Sequence, residues 1–239
     1  VGLYYSPAQW GKYAISFKNA EEYDGYFLNQ IRELLTGYGK IDYLWFDGCG
    51  SEGHEYDKAR IVKAINEYQP DILTFCDPEW NPGVRWIGNE DGYASLVNPL
   101  VVCKTDFSEL ATEEQKLSSA MFLPAECDCK IRKTWFYDDN EETLKSVDEL
   151  FGMYEMSVGH GSNFLLNIGP DNRGLLPEAD AERFLALGKR IRASYGQPLD
   201  FSAPVKEGDT YIITHKEMFF STCATTTENH LSNTIVISE

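Results

Sequence analysis

The alternation of short apolar segments with longer helical patterns constrains the fold of this chain most strongly. Five apolar runs are typical of strands: GLYYS at 2–6, YLWFDG at 43–48, ILTFC at 72–76, MFLPAEC at 121–127 and FLLNIG at 164–169. Leucines and aromatic residues recur at helical spacing between and after them, which predicts helices at 21–39, 57–68, 143–159 and 181–196. Strands that alternate with helices predict parallel strands joined by crossover helices, an α/β fold.

A doubly wound sheet and a (β/α)8 barrel both fit this alternation. The predicted strands end in polar or acidic residues, which would line the rim formed by the C-terminal strand ends: Ser6, Asp47, Asp77, Glu126 and Asn167. A barrel gathers such residues into one site, but a closed barrel needs about two or three more strands than the five or six recognisable here. Residues 77–104 are predicted to form a long loop.

The pattern changes near residue 199. Thr- and Ser-containing β stretches follow at YIITH (211–215), EMFFSTC (217–223) and TIVIS (234–238). We therefore predict two domains: a catalytic α/β domain at 1–198, and a short β-rich segment at 199–239.

Composition excludes several classes of function. A formal net charge of −17 argues against a nucleic-acid or anionic-membrane surface, because both would repel the protein. No run approaches the roughly 20 apolar residues of a membrane span. The cysteines and histidines lack the spacing of zinc or metalloprotease ligands, so we predict neither a metal nor a cofactor.

Asp47 is the first candidate catalytic residue. It ends the apolar run YLWF and precedes Gly48, which would let a substrate approach the backbone. A carboxylate at this position can act as a nucleophile or a base. It can equally cap a helix or bond within a loop.

Glu90, in RWIGNEDG, is the second candidate. A glutamate beside aromatic surface can serve as a general acid. The alternative is a solvated loop glutamate, and Asp77, Glu79 and Asp91 are rival carboxylates nearby.

The segment LPAECDCKIRKTWFY contains a third group: Glu126, Asp128, Arg132 and Trp135. Carboxylate, arginine and aromatic side chains can bind the hydroxyls and the apolar face of a sugar. They can equally form an internal salt bridge beside a core tryptophan. The chain has no GxSxG, GxGxxG or P-loop motif, so the remaining signature is that of glycosidic bond cleavage by carboxylates among aromatic rings.

Taken in order, the segments GLYYS, LWFDG, RWIGNEDG, PAECDCKIRKTWFY and FLLNIGPDNRGLLPE resemble glycoside hydrolase family 29, the α-L-fucosidases. The resemblance covers about residues 2–196. The RW-x-GNE and PAE-x-D-x-x-IR-x-x-WF forms are similar to the subfamily that prefers α-1,3/1,4-linked fucose.

The resemblance implies a retaining mechanism on a (β/α)8-type barrel. Asp47 matches the family's nucleophile and Glu90 the acid/base glutamate of that subfamily; retention requires their carboxyl groups to lie about 5–5.5 Å apart. The substrate-binding residues that we expect from these motifs are Trp45, Trp86, Glu126, Asp128, Arg132 and Trp135.

The family's N-terminal barrel strands, with a histidine-bearing segment that binds fucose, have no counterpart in these residues, so we expect a partial barrel. The resemblance implies a fucosylated oligosaccharide as the substrate and a secreted, periplasmic or lysosomal location. A catalytically impaired fucose-binding fragment, which needs the missing strands or a partner, is the alternative function.

Overall fold

The computed structural model describes residues 1–8, 18–50, 53–75, 83–105, 115–196, 205–207, 210–214 and 234–238. The chain divides into two compact units. The first comprises Val1–Lys130 and Met153–Asn167, and the second Ile131–Gly152 and Ile168–Glu239. The predicted strand at 217–223 and the rival carboxylates Asp77 and Glu79 lie outside the described residues.

Two three-stranded parallel sheets form the centre of the first unit. Their strands are β1 (Gly2–Tyr5), β2 (Tyr43–Phe46), β3 (Leu73–Phe75), β4 (Arg85–Trp86), β7 (Ala125–Lys130) and β8 (Ser162–Asn167). Strands β1, β2 and β3 are adjacent and parallel, as are β4, β7 and β8. A parallel bridge from Phe75 to Val84 joins the two groups. The predicted parallel α/β arrangement is therefore confirmed.

An antiparallel hairpin interrupts this pattern. It pairs β5 (Val101–Thr105) with β6 (Gln115–Phe122). The prediction of one loop over 77–104 is therefore wrong, since β4 and most of β5 fall within it. The single strand predicted at 121–127 is also wrong: its first residues end β6, and Ala125 begins β7. Two strands meeting across Leu123 and Pro124 look like one apolar run in the sequence.

Helices α1 (Ala20–Gly37) and α2 (Lys58–Tyr68) cover one side of β1 and β2. Helix α1 buries apolar side chains spaced four residues apart, from Tyr23 through Phe27 and Ile31 to Leu35, which pack with Leu44 and Phe46 of β2 in one core cluster. Buried Asp24 on the same helix accepts a hydrogen bond from the Asp57 backbone amide at 3.1 Å. The loop after β2 is thereby fixed to α1.

The second unit contains α4 (Glu178–Tyr195), and α3 (Val147–Ser157) begins in it and ends in the first unit. Short 3-10 turns at Glu141–Thr143 and Val158–His160 occupy both ends of the region predicted as one helix over 143–159. Strands β9 (Val205–Glu207), β10 (Thr210–Thr214) and β11 (Thr234–Ser238) form an antiparallel sheet. The domain boundary at 198/199 stays a prediction.

Among the described residues, every helix is too short or too polar to cross a lipid bilayer.

Candidate active site

Strand β7 contributes buried polar side chains to the first unit. Side chains alternate along a strand, so Glu126, Asp128 and Lys130 share one face, and Cys127 and Cys129 share the other. Both carboxylates and both thiols are buried, and neither thiol forms a disulfide bond. The sequence prediction placed Glu126 at a strand end, which is wrong: it is the second residue of β7. The strand continues through the segment CDCK to Lys130, with the polar residues Asp128 and Lys130 on the same face as Glu126.

Glu126 connects three strands through its carboxylate. Its Oε1 accepts hydrogen bonds from the Tyr43 hydroxyl at 2.9 Å and the Trp45 indole Nε1 at 3.1 Å, both on β2. Its Oε2 accepts one from the Asn163 amide of β8 at 2.6 Å. Burial raises the pKa of Glu126, and these donors act against that rise. Because both oxygens are bonded to protein groups, the carboxylate holds Trp45 in place.

Asp128 holds the second tryptophan in the same way. The Trp86 indole Nε1, on β4, donates a hydrogen bond to Asp128 Oδ1 at 2.5 Å. Burial raises the pKa of Asp128 to about 6, the Trp86 hydrogen bond lowers it, and the Glu90 and Glu126 charges raise it further. Each of the two buried carboxylates therefore fixes one indole ring.

Three aromatic rings stack across neighbouring strands. The Tyr4 and Trp45 ring centroids lie 5.5 Å apart, and those of Trp45 and Phe75 lie 4.1 Å apart. Tyr4, Trp45 and Phe75 are register partners on β1, β2 and β3. Since β1 and β3 flank β2 on opposite sides, a ring lies against each face of the Trp45 indole. The edge of the indole is therefore the part of the ring that Tyr4 and Phe75 do not cover.

Asp47 follows β2 directly and is half-buried. Its Oδ1 accepts a hydrogen bond from the Cys49 backbone amide at 2.8 Å, and its Oδ2 accepts one from the Tyr4 hydroxyl. The helix-cap alternative is wrong, because Asp57 caps α2 by accepting from the Arg60 amide. A carboxylate with both oxygens oriented, at the end of a parallel strand, can act as a nucleophile.

Glu90 lies shortly after β4 and is partly exposed. Its Oε2 lies 3.1 Å from the Lys130 Nζ of β7, and the side chains are 43% and 20% exposed, respectively. The Lys130 ammonium donates a hydrogen bond to that oxygen. Glu90 is therefore paired with a cation on the polar face of β7, two residues beyond Asp128.

Arg132 and Trp135 belong to the second unit. The Arg132 guanidinium is buried and donates to both Asp180 oxygens, with a closest distance of 2.6 Å. It also donates to the Asn140 carbonyl and the Thr143 hydroxyl. These contacts are those of the internal salt bridge considered above. Trp135 is half-buried and Phe136 beside it is 85% exposed.

The contacts thus bring six predicted residues into one region of the first unit. Asp47 contacts Tyr4, Tyr4 stacks on Trp45, and Trp45 bonds to Glu126; Asp128 holds Trp86, and Lys130 holds Glu90. Sequence reasoning missed four participants: Tyr4, Tyr43, Lys130 and Asn163. The period-two spacing of Tyr43 with Trp45, and of Lys130 with Asp128, was the available signal.

Among the residues that the structure describes, no three His, Cys, Asp or Glu side chains converge as ligands for a metal ion.

A family model and a protein relative that match this chain carry the same name. A family model described as alpha-L-fucosidase matches residues 1–195. Alpha-L-fucosidase 1 of Arabidopsis thaliana is 36% identical over 188 residues, covering 75% of this chain and 36% of the plant protein.

Solved structures give the same picture. The crystal structure of a candidate α-L-fucosidase from Bacteroides ovatus superposes with a TM-score of 0.73 at 27% identity, covering 91% of this chain and 42% of that one. A Ruminococcus gnavus fucosidase of glycoside hydrolase family 29, solved with fucose, gives 0.64 at 26% identity, covering 89% and 47%. The chain thus spans between about a third and a half of these relatives. Because the family model covers most of its length, the chain belongs to the α-L-fucosidase family, glycoside hydrolase family 29.

Proposed function

We propose that this chain provides the catalytic carboxylates of a retaining α-L-fucosidase that removes terminal α-1,3/1,4-linked fucose from oligosaccharides or glycoconjugates. One observation carries the proposal: Asp47 stands oriented at the end of a parallel strand within the segment that the family model matches. In the proposed architecture the six parallel strands are part of a (β/α)8 barrel, with the strand ends forming the sugar site.

In the first proposed step, an Asp47 oxygen forms a bond to the anomeric carbon of fucose while the bond from that carbon to the glycosidic oxygen breaks. The electron pair of the broken bond stays on the departing oxygen, and the Glu90 carboxyl donates its proton there. The products are a covalent fucosyl-enzyme and the shortened glycan.

In the second step, the Glu90 carboxylate takes a proton from water as the water oxygen bonds to the anomeric carbon. The bond to Asp47 breaks, its electron pair returns to the carboxylate, and fucose leaves with retained configuration. Both residues end in their starting protonation states.

The substrate-binding residues divide into two groups in this proposal. Trp45 and Trp86, which are both half-buried, contact the sugar through their indole rings. Trp135, in the second unit, stays a predicted substrate-binding residue. Glu126 and Asp128 orient the first two rings, because their carboxylates bond to the indole nitrogens. The Arg132 guanidinium is bonded to Asp180, so it supports the fold of the second unit, and its substrate-binding role stays a prediction.

The test compares a Lewis-type fucosylated trisaccharide with an aryl fucoside. We expect fucose release from both, complete loss of release in Asp47→Asn, and partial rescue of Glu90→Ala by azide on the aryl fucoside. Azide can replace the water that needs a base in the second step. Glu67→Gln, an exposed glutamate on α2, is the matched control.

Two outcomes would overturn the proposal. Release from neither substrate by the folded chain would exclude hydrolysis by this chain. Saturable binding of the fucosylated glycan without cleavage would favour the alternative, a fucose-binding fragment. The linkage preference is tested separately, by comparing α-1,3/1,4-linked with α-1,2-linked glycans.

A further inference from the structure

Lys130 contacts a proposed catalytic carboxylate, that of Glu90, and has no role in the fucosidase mechanism above. Its ammonium donates to Glu90 Oε2 at 3.1 Å and is 20% exposed. By comparison, the Lys63–Glu67 pair on α2 spans 3.8 Å with the lysine 76% exposed. A partly desolvated, hydrogen-bonded ion pair interacts more strongly than an open surface pair.

We propose that Lys130 is a positioning residue that orients the Glu90 carboxyl group for proton transfer in the first step of glycoside cleavage. The inference rests on the function proposed above. The ammonium donates to Oε2, and this hydrogen bond fixes the orientation of the carboxyl group that transfers the proton. When that proton moves to the departing oxygen, the nearby positive charge stabilises the carboxylate that forms.

Other charges act on the same carboxyl group. Asp128 lies on the same face of β7, two residues before Lys130, and Asp91 follows Glu90 in the chain. Asp128 and Glu90 interact as like charges, and Lys130 supplies the opposite charge beside these acidic groups.

Substrates with different leaving groups separate this role from a structural one. An alkoxide leaving from a glycan needs a proton in the transition state, whereas a nitrophenolate leaves without one. For Lys130→Met we expect kcat/KM to fall about tenfold on the fucosylated oligosaccharide. On the nitrophenyl fucoside, kcat/KM should change by less than about twofold.

Lys130→Arg keeps the charge and should retain the oligosaccharide activity within about threefold. Lys63→Met is the matched control, since it removes a lysine from an exposed ion pair on α2. Thermal unfolding of each variant separates catalytic from folding effects.

Equal losses on both substrates would overturn the role of Lys130, as would wild-type kinetics in Lys130→Met. Failure of both Lys130 variants to fold would also overturn it, because the residue would then be structural. If the wild-type chain releases no fucose, the proposed function fails instead, so the two failures are distinguishable.

Discussion

At the scale of single residues, hydrogen bonds from two parts of the chain orient the Asp47 carboxylate. Its oxygens are bonded to the Tyr4 hydroxyl, from a neighbouring strand, and to the Cys49 amide, from its own loop. Burial and the hydrogen bond to Asp47 raise the pKa of Tyr4 above its ordinary value, so the hydroxyl remains a donor across the neutral range. Tyr4 therefore orients the proposed nucleophile without competing for its charge.

Replacing Tyr4 by phenylalanine tests this orientation. Tyr4→Phe keeps the ring that stacks on Trp45 and removes the hydroxyl that bonds to Asp47. We expect kcat on an aryl fucoside to fall by about tenfold or more, with KM and the midpoint of thermal unfolding nearly unchanged. Tyr38→Phe, at an exposed tyrosine after α1, is the control. An unchanged kcat would show that the hydroxyl has no part in orienting Asp47.

The buried charge of Asp128 predicts a pH dependence of stability. Its pKa is raised to about 6 from the ordinary 3.8, mainly by burial. Between these two values the native state binds more protons than the unfolded state, so the contribution of Asp128 to stability decreases as the pH rises through this window. Above the window its cost to the native state is fully present.

Asp128→Asn removes the charge and leaves an oxygen to accept from Trp86. The free energy of unfolding of Asp128→Asn minus that of the wild type should increase by about 2 kcal/mol from about pH 4 to about pH 7. Urea unfolding at both pH values measures this. Asp139→Asn, at an exposed position, should show no such change. If the difference in unfolding free energy between Asp128→Asn and the wild type stayed constant with pH, it would contradict the raised pKa of Asp128.

At the scale of elements, β7 explains which parts of the fold could be predicted from the sequence. The helices and apolar strands follow from periodicity, because their buried faces are hydrophobic. Strand β7 places Glu126, Asp128 and Lys130 on one face and buries both carboxylates, where a hydrophobic pattern is normally expected. Its second half was therefore not recognised, and β4 has only two residues.

The candidate site was only partly predictable for a related reason. Asp47 and Glu90 stand in motifs, and their chemistry can be inferred from residue type. The partners of Glu126 lie 83, 81 and 37 positions away in the chain, on two other strands. Such pairings follow from strand register, which the sequence does not reveal for inward polar residues.

The role of Glu126 in joining β2, β7 and β8 can be tested by a near-isosteric change. Glu126→Gln replaces one carboxylate oxygen by an amide nitrogen, which cannot accept the hydrogen bond that this oxygen receives in the wild type. We expect a loss of about 1–3 kcal/mol in the free energy of unfolding, with altered tryptophan fluorescence as Trp45 loses its acceptor. Glu67→Gln is the exposed control. Wild-type stability and fluorescence in Glu126→Gln would contradict this role.

In the second unit, the Arg132–Asp180 pair predicts a large effect on folding. Asp180→Asn leaves the buried guanidinium without its counter-ion, which should cost about 3–5 kcal/mol in urea unfolding. Asp148→Asn breaks an exposed pair with Arg190, and its cost should stay below about 1 kcal/mol. If Asp180→Asn were as stable as wild type and raised KM for the fucoside, Arg132 would have the sugar-binding role first expected of it.

At the scale of the whole molecule, membership of the α-L-fucosidase family rests on a match over residues 1–195. The chain nevertheless covers only 36% of its plant relative and 42% of the Bacteroides ovatus structure. Fucose release by this chain is therefore a proposal, which requires that its own strands hold the sugar against Asp47. The contacts of Tyr4, Trp45 and Glu126 all lie within those strands.

Covalent trapping tests that central claim most directly. A 2-deoxy-2-fluoro-L-fucosyl donor with a good leaving group should accumulate the fucosyl-enzyme, because the fluorine slows its hydrolysis while the leaving group keeps its formation fast. Mass spectrometry of peptides from the labelled chain is predicted to find one fluorofucosyl group, on Asp47, and none in Asp47→Asn. A label on another carboxylate, or fucose release without any label and with inverted configuration, would contradict the account.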